Sequence, residues 1–205
     1  MVKKIIIVGA GQNGQAAQNI FSLDKNNIFF GFLDDNIKAE GKILGPIESF
    51  TKYKSDYYFF ISMGNNIIRK KFFNLLKEEG VKFINSIHPR SYIEKDVVIG
   101  ENIMVGAFAY INTKCVIGDN TIINTGSIIE HHSKIGSHSH IAPGVTTAGE
   151  VSVGNGVFIG IGSTLRDRIK IGNNSFFGAS SNIVAHTEEN AMYYGNPAKF
   201  IKYLE

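Results

Sequence analysis

The chain has 205 residues, which is enough for one large domain or two small ones with a buried core. Its formal net charge is only +3 and its 21 Lys and Arg residues are scattered, which argues against a nucleic-acid-binding protein. The single cysteine, Cys115, excludes an internal disulfide and fits a reducing compartment, and no apolar run approaches the ~20 residues of a membrane span. We therefore expect a soluble, cytoplasmic protein without a signal peptide, since Gly9 and Gly11 interrupt the first apolar run.

Strand-like and helix-like segments alternate over the first 87 residues. Apolar periodicity predicts helices over residues 12–23 and 65–79. Short apolar runs predict strands over residues 3–8, 28–33, 57–62 and 81–86. This alternation predicts a small parallel sheet with helices on its faces, a Rossmann-like α/β fold.

A different period governs the rest of the chain. From Ile93 to Ile183 a large apolar residue recurs at every sixth position without an insertion, and Thr147 alone breaks the series. The residue two positions earlier is usually small or branched, and Gly often follows directly. A strict period of six is typical of a parallel β-helix in which three hexads form one coil of ~18 residues. The sequence therefore predicts an α/β domain over residues 1–87 and a β-helix domain over residues 88–205.

The first strand is followed by a glycine-rich turn. Gly9, Gly11 and Gly14 form G-x-G-x-x-G between a strand and a helix, where helix N-terminal amides meet a phosphate. Asp34 follows 20 residues after Gly14, near the spacing used for a ribose hydroxyl. Because the repeat begins by residue 93, only one mononucleotide half-site fits. We expect a site for one nucleotide, such as a nucleotide-linked sugar; a glycine-rich turn without a ligand is the alternative.

Several motifs together resemble one enzyme family. They are G-A-G-Q-N-G at residues 9–14, F-L-D-D at 32–35, M-G-N-N-x-x-R at 63–69, Y-G-N-P-A-K at 194–199 and the hexapeptide register. Nearly the whole chain is similar to the left-handed β-helix sugar O- and N-acyltransferases, typified by sialic acid O-acetyltransferase and the bacillosamine-pathway acetyltransferase. The resemblance implies a left-handed coil, a homotrimer, acetyl-CoA as acyl donor and an acceptor sugar on a nucleoside diphosphate.

The resemblance also implies the residues that bind the nucleotide-linked sugar. The matching positions are Gly9, Gly11, Asn13, Gly14, Asp34, Asp35, Gly64, Asn65, Asn66 and Arg69. Arg69 is expected to face the diphosphate, with a solvated helix arginine as the alternative. Asn13 stands where many relatives have His, so a contact to the diphosphate or the amino sugar is expected to differ.

Four of the six histidines lie between residues 127 and 144. Zinc sites need three or four convergent ligands, and this spacing does not resemble that of the gamma carbonic anhydrases, so no metal is expected. The segment I-E-H at residues 129–131 matches the family's acid–histidine pair and makes His131 the expected general base. An attacking amine or hydroxyl must lose a proton, and an imidazole with an unperturbed pKa near 6.5 is suited to accept it. Glu130 is one candidate to orient the ring, but His132 occupies a position where relatives often have a second acid.

The coil length places two further residues. Gly149 follows His131 by 18 residues, so we expect it directly above His131, with room for a thioester and an N–H suited to stabilise the oxyanion. His140 follows His131 by nine residues, half a coil, so both can serve one site only between two subunits. The resemblance makes His140 a coenzyme contact. His132 and His138 are expected to be solvated.

Coenzyme A is expected to run along the groove between coils. Arg166 and Lys199 are candidates to meet its phosphates. The resemblance places the terminal segment with Gly195 and Pro197 beside the coenzyme.

The sequence thus predicts an acetyl-CoA-dependent N-acetyltransferase that acts on a nucleotide-linked 4-amino-4,6-dideoxy sugar in glycan or lipopolysaccharide precursor synthesis. O-acetylation of a sugar hydroxyl is the first alternative. A metal-dependent β-helix hydratase and a non-catalytic β-helix scaffold are the others. The sequence does not distinguish among UDP, dTDP and GDP sugars.

Overall fold

The computed structural model of the protein describes residues 2–204, and the chain divides into two compact units, Met1–Pro89 and Arg90–Glu205. The sequence-based boundary lies two residues earlier. That the first unit binds the nucleotide sugar and the second transfers the acyl group stays a prediction.

A parallel five-stranded sheet forms the centre of the first unit. Its strands are β1 Lys3–Val8, β2 Asn27–Leu33, β3 Ile43–Gly45, β4 Tyr58–Ile61 and β5 Lys82–Phe83, in the order β3-β2-β1-β4-β5. Helix α1 spans Gln12–Ser22, helix α2 spans Asn66–Glu78, and a 3-10 helix spans Ile47–Lys52. The last four residues of β1 are fully buried, as expected for a central strand covered on both faces. Each such Ile or Val contributes about 1.5–3 kcal/mol through burial.

The predicted elements of this unit are present, with two differences. The strand expected over residues 81–86 is divided into β5 and a separate two-residue strand, Ser86–Ile87. Strand β3 and the 3-10 helix were not predicted, because β3 has only three residues and neither segment has a clear apolar periodicity.

In the second unit, two-residue strands stack into three parallel sheets, and the prediction of a left-handed parallel β-helix is confirmed. Face 1 consists of Tyr92–Ile93, Tyr110–Ile111, Ile128–Ile129, Thr146–Thr147, Thr164–Leu165 and Asn182–Ile183. Face 2 consists of Val98–Ile99, Val116–Ile117, Lys134–Ile135, Ser152–Val153 and Lys170–Ile171. Face 3 consists of Met104–Val105, Ile122–Ile123, His140–Ile141, Phe158–Ile159 and Phe176–Phe177, followed by Ala191–Tyr194 and the antiparallel strand Lys199–Tyr203.

Strands that stack on one face are paired 18 residues apart, for example Ile111 with Ile129 and Ile123 with Ile141. The second residue of each strand points inward, which places the apolar register in one continuous core. A second interior column carries small polar side chains. Its members bond to the main chain of the next coil; the Ser127 hydroxyl, for instance, donates to the Ala142 carbonyl at 3.0 Å. Small hydroxyl residues are suited to this column because their only polar atom finds a partner inside the core.

The coil corners contain residues in the left-handed backbone region. His132 and His138 have φ values of +59° and +62°. Asn and His are enriched in this conformation among non-glycine residues. No helix within residues 2–204 is long and apolar enough to cross a membrane.

Candidate functional site

A cavity of about 550 Å³ opens in the first unit at the carboxyl ends of β1, β2 and β4. Ligands of open α/β sheets bind at this edge, where the strand order reverses. The cavity is lined by Gly9, Gly11, Gln12, Asn13, Asp34, Asp35, Ile47, Ser62, Met63, Gly64, Asn65, Ile68 and Phe72. Seven of the ten residues predicted to bind the nucleotide sugar are therefore at the cavity wall.

The glycine-rich turn leads from β1 into α1. Gly9 has φ +99°, which favours glycine, and a side chain on Gly14 would collide with the carbonyl oxygen of Gly9. Gly11 precedes the first turn of α1, has no side-chain cap, and a Cβ there would face open space. The first amides of α1 thus lie beside the cavity without an acidic residue in the first turn, which suits a phosphate.

The two aspartates after β2 hold the loops around the cavity. Asp34 Oδ2 accepts a hydrogen bond from the Ala10 N–H at 2.7 Å, and its Oδ1 accepts from Asn36 N–H at 2.8 Å. Asp35 Oδ1 accepts from the Ile47 N–H at the start of the 3-10 helix. Asp34 therefore fastens the glycine-rich turn to the end of β2, in addition to lining the cavity.

The side chain of Arg69 is buried against the loop that follows β4. Its side chain is only 1% exposed, and its guanidinium donates to the carbonyls of Met63 and Gly64 at 2.9 and 3.3 Å and to Asn66 Oδ1 at 2.9 Å. Burial lowers the pKa of Arg69 to about 10, so the group stays charged at neutral pH. Arg69 thus shapes the loop from inside, and the alternative of a solvated helix arginine is wrong. Its contact with a diphosphate stays a prediction.

Two asparagines of the cavity wall have definite local roles. Asn65 caps α2, since its Oδ1 accepts from the N–H groups of Ile67 and Ile68. The amide nitrogen of Asn13 lies 2.9 Å from the place a Cβ of Gly64 would take. Residue 64 therefore has to be glycine for Asn13 to keep this position.

His131 lies exposed at a corner of the β-helix, after the face 1 strand Ile128–Ile129. A Cβ on Gly149 would lie 2.5 Å from His131 Cε1 and 2.7 Å from Nε2. The expected stacking of Gly149 on His131 is therefore present, and the space that the glycine leaves is taken by the imidazole. The carbonyl of His131 also accepts from the N–H of Glu150 at 2.9 Å.

Glu130 makes hydrogen bonds with residues of both neighbouring coils. Its Oε2 accepts from Asn112 Nδ2 at 2.6 Å and from the N–H of His131 at 3.3 Å. Its own N–H donates to Thr147 Oγ1 at 3.0 Å, and its carbonyl accepts from Cys115 Sγ at 3.1 Å. The carboxylate thus contacts the main chain of His131, whereas Nδ1 of the His131 ring lies 3.1 Å from Nδ1 of His132.

Two further residues beside the site, Asn112 and Thr147, were not predicted from the sequence. Asn112 precedes Glu130 by 18 residues, so the coil length was a sufficient signal for their contact. Thr147 interrupts the apolar register, and its position is explained by the hydrogen bond that it accepts from the N–H of Glu130.

The other histidines occupy separate environments. His140 lies on face 3, is 8% exposed, and its ring packs edge-on against Phe158 with centroids 5.1 Å apart. Its Nε2 lies 3.3 Å from Asn124 Nδ2. His138 Nδ1 pairs with Asn120 Nδ2 at 2.8 Å, and His186 Nδ1 accepts from the Lys170 N–H. His131 and His140 are thus on different faces of one chain, and the coenzyme contact of His140 stays a prediction.

The terminal segment forms a hairpin turn between the last two strands. Gly195 has φ +101°, and the Asn196–Pro197 peptide bond is cis. The carbonyl of Gly195 accepts from the N–H of Asn182, and the carbonyl of Asn182 accepts from Ala198. Arg166 and Lys199 are exposed. Their contacts with coenzyme A stay predictions.

Within residues 2–204, no three His, Cys, Asp or Glu side chains converge as a metal-binding group.

Comparisons with known proteins find matches to both parts of the chain. The family described as PglD N-terminal domain matches residues 4–76, and the family described as bacterial transferase hexapeptide (six repeats) matches residues 114–149 and 150–185. UDP-N-acetylbacillosamine N-acetyltransferase of Bacillus subtilis (strain 168) is 32% identical over 113 residues. The alignment spans 52% of this chain and 52% of that protein, about half the length of each.

Solved structures match over nearly the full length. The acetyltransferase domain of PglB from Neisseria gonorrhoeae FA1090, in complex with acetyl coenzyme A, has a TM-score of 0.94 and 25% identity, over 98% of this chain and 100% of that chain. PerB from Caulobacter crescentus, in complex with CoA and GDP-perosamine, has a TM-score of 0.93 and 26% identity, over 98% and 99%. Residues 4–76 thus match the PglD N-terminal domain, residues 114–185 match bacterial transferase hexapeptide repeats, and about half of the chain is similar to UDP-N-acetylbacillosamine N-acetyltransferase.

Proposed function

We propose that the protein is an acetyl-CoA-dependent N-acetyltransferase that acts on the amino group of a nucleotide-linked sugar of the 4-amino-4,6-dideoxy type. The observation that carries this proposal is the similarity over the whole chain to PerB, which was solved with CoA and GDP-perosamine. Two features fit such a reaction. The open glycine-rich cavity in the first unit is suited to bind the nucleotide, and the exposed imidazole of His131 in the second is suited to accept the proton of the amine.

The cavity is suited to a nucleoside diphosphate. The amides at the start of α1 meet the phosphates, and the carboxylates of Asp34 and Asp35 lie beside the ribose or sugar hydroxyls. Arg69 acts through the loop that it fixes, since its side chain is buried. Gly64 leaves room in the cavity wall for the amide of Asn13.

The reaction is a direct transfer. The amine nitrogen of the sugar attacks the thioester carbonyl carbon of acetyl-CoA while Nε2 of His131 accepts a proton from that nitrogen. The carbonyl oxygen becomes an oxyanion, which the N–H of Gly149 stabilises. The C–S bond then breaks, the CoA sulfur takes the proton from the imidazolium, and the products are the amide and free CoA. Arg166 and Lys199 provide positive charge for the coenzyme phosphates, and Gly195 and Pro197 border it.

We further propose a homotrimer with active sites between subunits. His131 and His140 lie on different faces of one chain, so one site can contain both only if two chains contribute. Mixed trimers of His131→Ala and His140→Ala chains test this arrangement. If sites are shared, the mixture regains about a quarter of wild-type activity although each variant alone is inactive. If the mixture does not regain activity, no site combines His131 of one chain with His140 of another, and the proposal of shared sites is wrong.

A panel of UDP-, dTDP- and GDP-linked amino sugars, with acetyl-CoA and detection of released thiol, tests the reaction itself. Rapid thiol release with an amino sugar and none with its hydroxyl counterpart supports N-acetylation; the opposite pattern supports O-acetylation. Equimolar zinc in the purified protein would favour a hydratase, and failure to bind acetyl-CoA in calorimetry would favour a scaffold. His131→Ala is expected to abolish transfer while nucleotide-sugar binding persists.

A cytoplasmic location is part of this proposal. It is supported by the single reduced, buried thiol of Cys115, which fits a reducing compartment.

A further inference from the structure

The proposed base needs a partner that fixes its ring, and the sequence leaves that partner open. We propose that His132 is the positioning residue for His131: its Nδ1 accepts a hydrogen bond from the Nδ1–H of His131, which leaves Nε2 of His131 unprotonated as the base. This inference rests on the acyl transfer proposed above. It assigns to a neutral imidazole the role that a carboxylate usually has.

The geometry of the two rings supports a directional hydrogen bond. The two Nδ1 atoms are 3.1 Å apart, and the rings are nearly perpendicular, at 87°, with centroids 5.3 Å apart. The rings therefore meet edge to face, and the two Nδ1 atoms are the polar atoms in contact. The distance lies within the range of protein hydrogen bonds.

The backbone fixes where the side chain of His132 leaves the coil. His132 has φ +59°, and its N–H donates to the carbonyl of Thr113 at 3.0 Å. His131 is held in turn between the Glu130 carboxylate, which accepts its N–H, and the main chain of Gly149. Two adjacent side chains are thereby directed toward each other by contacts with both neighbouring coils.

Glu130 is engaged elsewhere. Its Oε2 accepts from Asn112 at 2.6 Å and from the main chain of His131. The ring nitrogen of His131 that needs an acceptor is instead met by His132.

The proton positions follow from this contact. A hydrogen bond between two neutral imidazoles needs one N–H and one bare nitrogen, and each neutral ring carries a single proton. If His131 donates, its Nε2 is bare and can accept a proton from the sugar amine. If His132 donated, the proton of His131 would be on Nε2 and the ring could not act as the base there.

After His131 accepts the substrate proton, its Nδ1–H still donates to neutral His132. Neutral His132 thus serves as the acceptor both before and after the proton transfer.

Charged residues lie at the equivalent corners of the two neighbouring coils, and each is bonded to a group of opposite charge or to a carboxylate. Lys114 and Glu150 occupy the corner position of His132 one coil before and one coil after it. The N–H of Lys114 donates to Asp96, and the guanidinium of Arg168 pairs with Glu150 at 3.3 Å. Asp96 and Glu150 are thus each bonded to a group other than the two imidazoles.

Three variants at residue 132 test the proposal. His132→Phe keeps a ring of similar shape but has no acceptor, and kcat should fall by about tenfold or more while both KM values stay unchanged. His132→Asn supplies a carbonyl oxygen as acceptor, suits the left-handed backbone, and should regain most of the lost kcat. His132→Asp supplies a carboxylate as acceptor and should also be active.

A spectroscopic readout is independent of substrate. Nitrogen-15 NMR of the imidazole rings should show His131 as the Nδ1–H tautomer in the wild type and in His132→Asn, and not in His132→Phe. His138→Phe is the control at another corner, since residue 138 has φ +62° and its ring pairs with Asn120 instead of His131; kcat should be unchanged even if the lost contact with Asn120 lowers the thermal stability.

Wild-type kcat in His132→Phe, or an Nε2–H tautomer of His131 in the wild type, would overturn the proposal. Equal loss of kcat in the Phe and Asn variants, together with lowered stability, would make His132 merely structural and overturn it too. Wild-type protein that transfers no acetyl group to any amino sugar would instead refute the proposed function, and the tautomer measurement would still decide on the contact between the rings.

Discussion

Gly149 supports the ring of His131 by having no side chain. A Cβ at residue 149 would lie 2.5 Å from Cε1 and 2.7 Å from Nε2 of the imidazole, closer than carbon and nitrogen atoms approach without a bond. The imidazole thus rests on the main chain of the next coil, with Nε2 beside the group that we propose as the oxyanion donor.

Gly149→Ala should therefore displace the ring and lower kcat by about a hundredfold, since small misplacements of reacting groups have effects of this size. The ring is exposed and can swing toward solvent, so the thermal midpoint should change little. The measurement compares kcat, the thermal midpoint and the Kd of the nucleotide sugar with those of the wild type. Wild-type turnover in this variant would show that the ring position seen here is not the catalytic one.

Thr147 should matter for activity more than for stability. Its hydroxyl accepts the N–H of Glu130, the residue before the proposed base. Thr147→Val removes the acceptor but adds an apolar group that matches the core register. The gain in packing offsets the lost hydrogen bond, so the free energy of unfolding should change by no more than about 1 kcal/mol. We expect kcat to fall several-fold because the Glu130–His131 segment shifts.

Thr147→Ser is the matched control, since it keeps the acceptor and should retain activity. Urea unfolding and kcat are measured for both variants. If Thr147→Val is fully active, the hydrogen bond to Glu130 has no influence on the site.

The period of six was sufficient to predict the stacking of residues on the β-helix. It placed Gly149 against His131 and separated His131 from His140, because both relations depend only on the number of residues per coil. The same arithmetic would have found Asn112 beside Glu130.

Side-chain direction could not be predicted in this way. The contact between His131 and His132 depends on the left-handed backbone at His132, which a helical period does not encode. Arg69 lies in the first turn of α2, where a charged side chain is usually exposed. In the structure its guanidinium is buried and donates to two carbonyls of the loop after β4 and to the side chain of Asn66. The burial of this guanidinium could not be predicted, because it depends on the conformation of the loop whose carbonyls accept its hydrogen bonds.

Asp34 should control affinity for the nucleotide sugar through the glycine-rich turn. Asp34→Ala removes the acceptor of the Ala10 N–H and of the Asn36 N–H, so the turn loses its attachment to the end of β2. Hydrogen bonds to a charged acceptor contribute about 1.5–3 kcal/mol, and we expect the Kd of the nucleotide sugar to rise by about tenfold or more. The Kd of acetyl-CoA should be unchanged.

Asp24→Ala is the control for that experiment. Asp24 also accepts a backbone N–H, that of Asn26 at 2.9 Å, but in an exposed turn after α1 and outside the cavity wall. Calorimetry should show wild-type binding of both ligands in this variant. Equal weakening by the two substitutions would mean that Asp34 acts through the stability of the whole unit.

Cys115 should be unreactive in the folded protein. It is fully buried, its Sγ donates to the Glu130 carbonyl, and burial raises the pKa of the thiol above its usual value of 9.0. Since the thiolate is the reactive form, labelling by a disulfide reagent should stay slow even as the pH rises to 9. The stabilising effect of the neutral thiol is present below the unfolded pKa and is lost only as the pH rises through the higher folded value.

The rate of thiol labelling then measures the opening of the coil that holds Glu130. Cys115→Ser should be folded and active, because serines occupy the same interior column in other coils and make the same contact with a carbonyl 15 residues later. The serine variant should abolish labelling, and denaturant should bring the wild-type rate to that of a free thiol. Fast labelling of the native wild type at pH 8, without loss of activity, would show that this coil opens independently of the site.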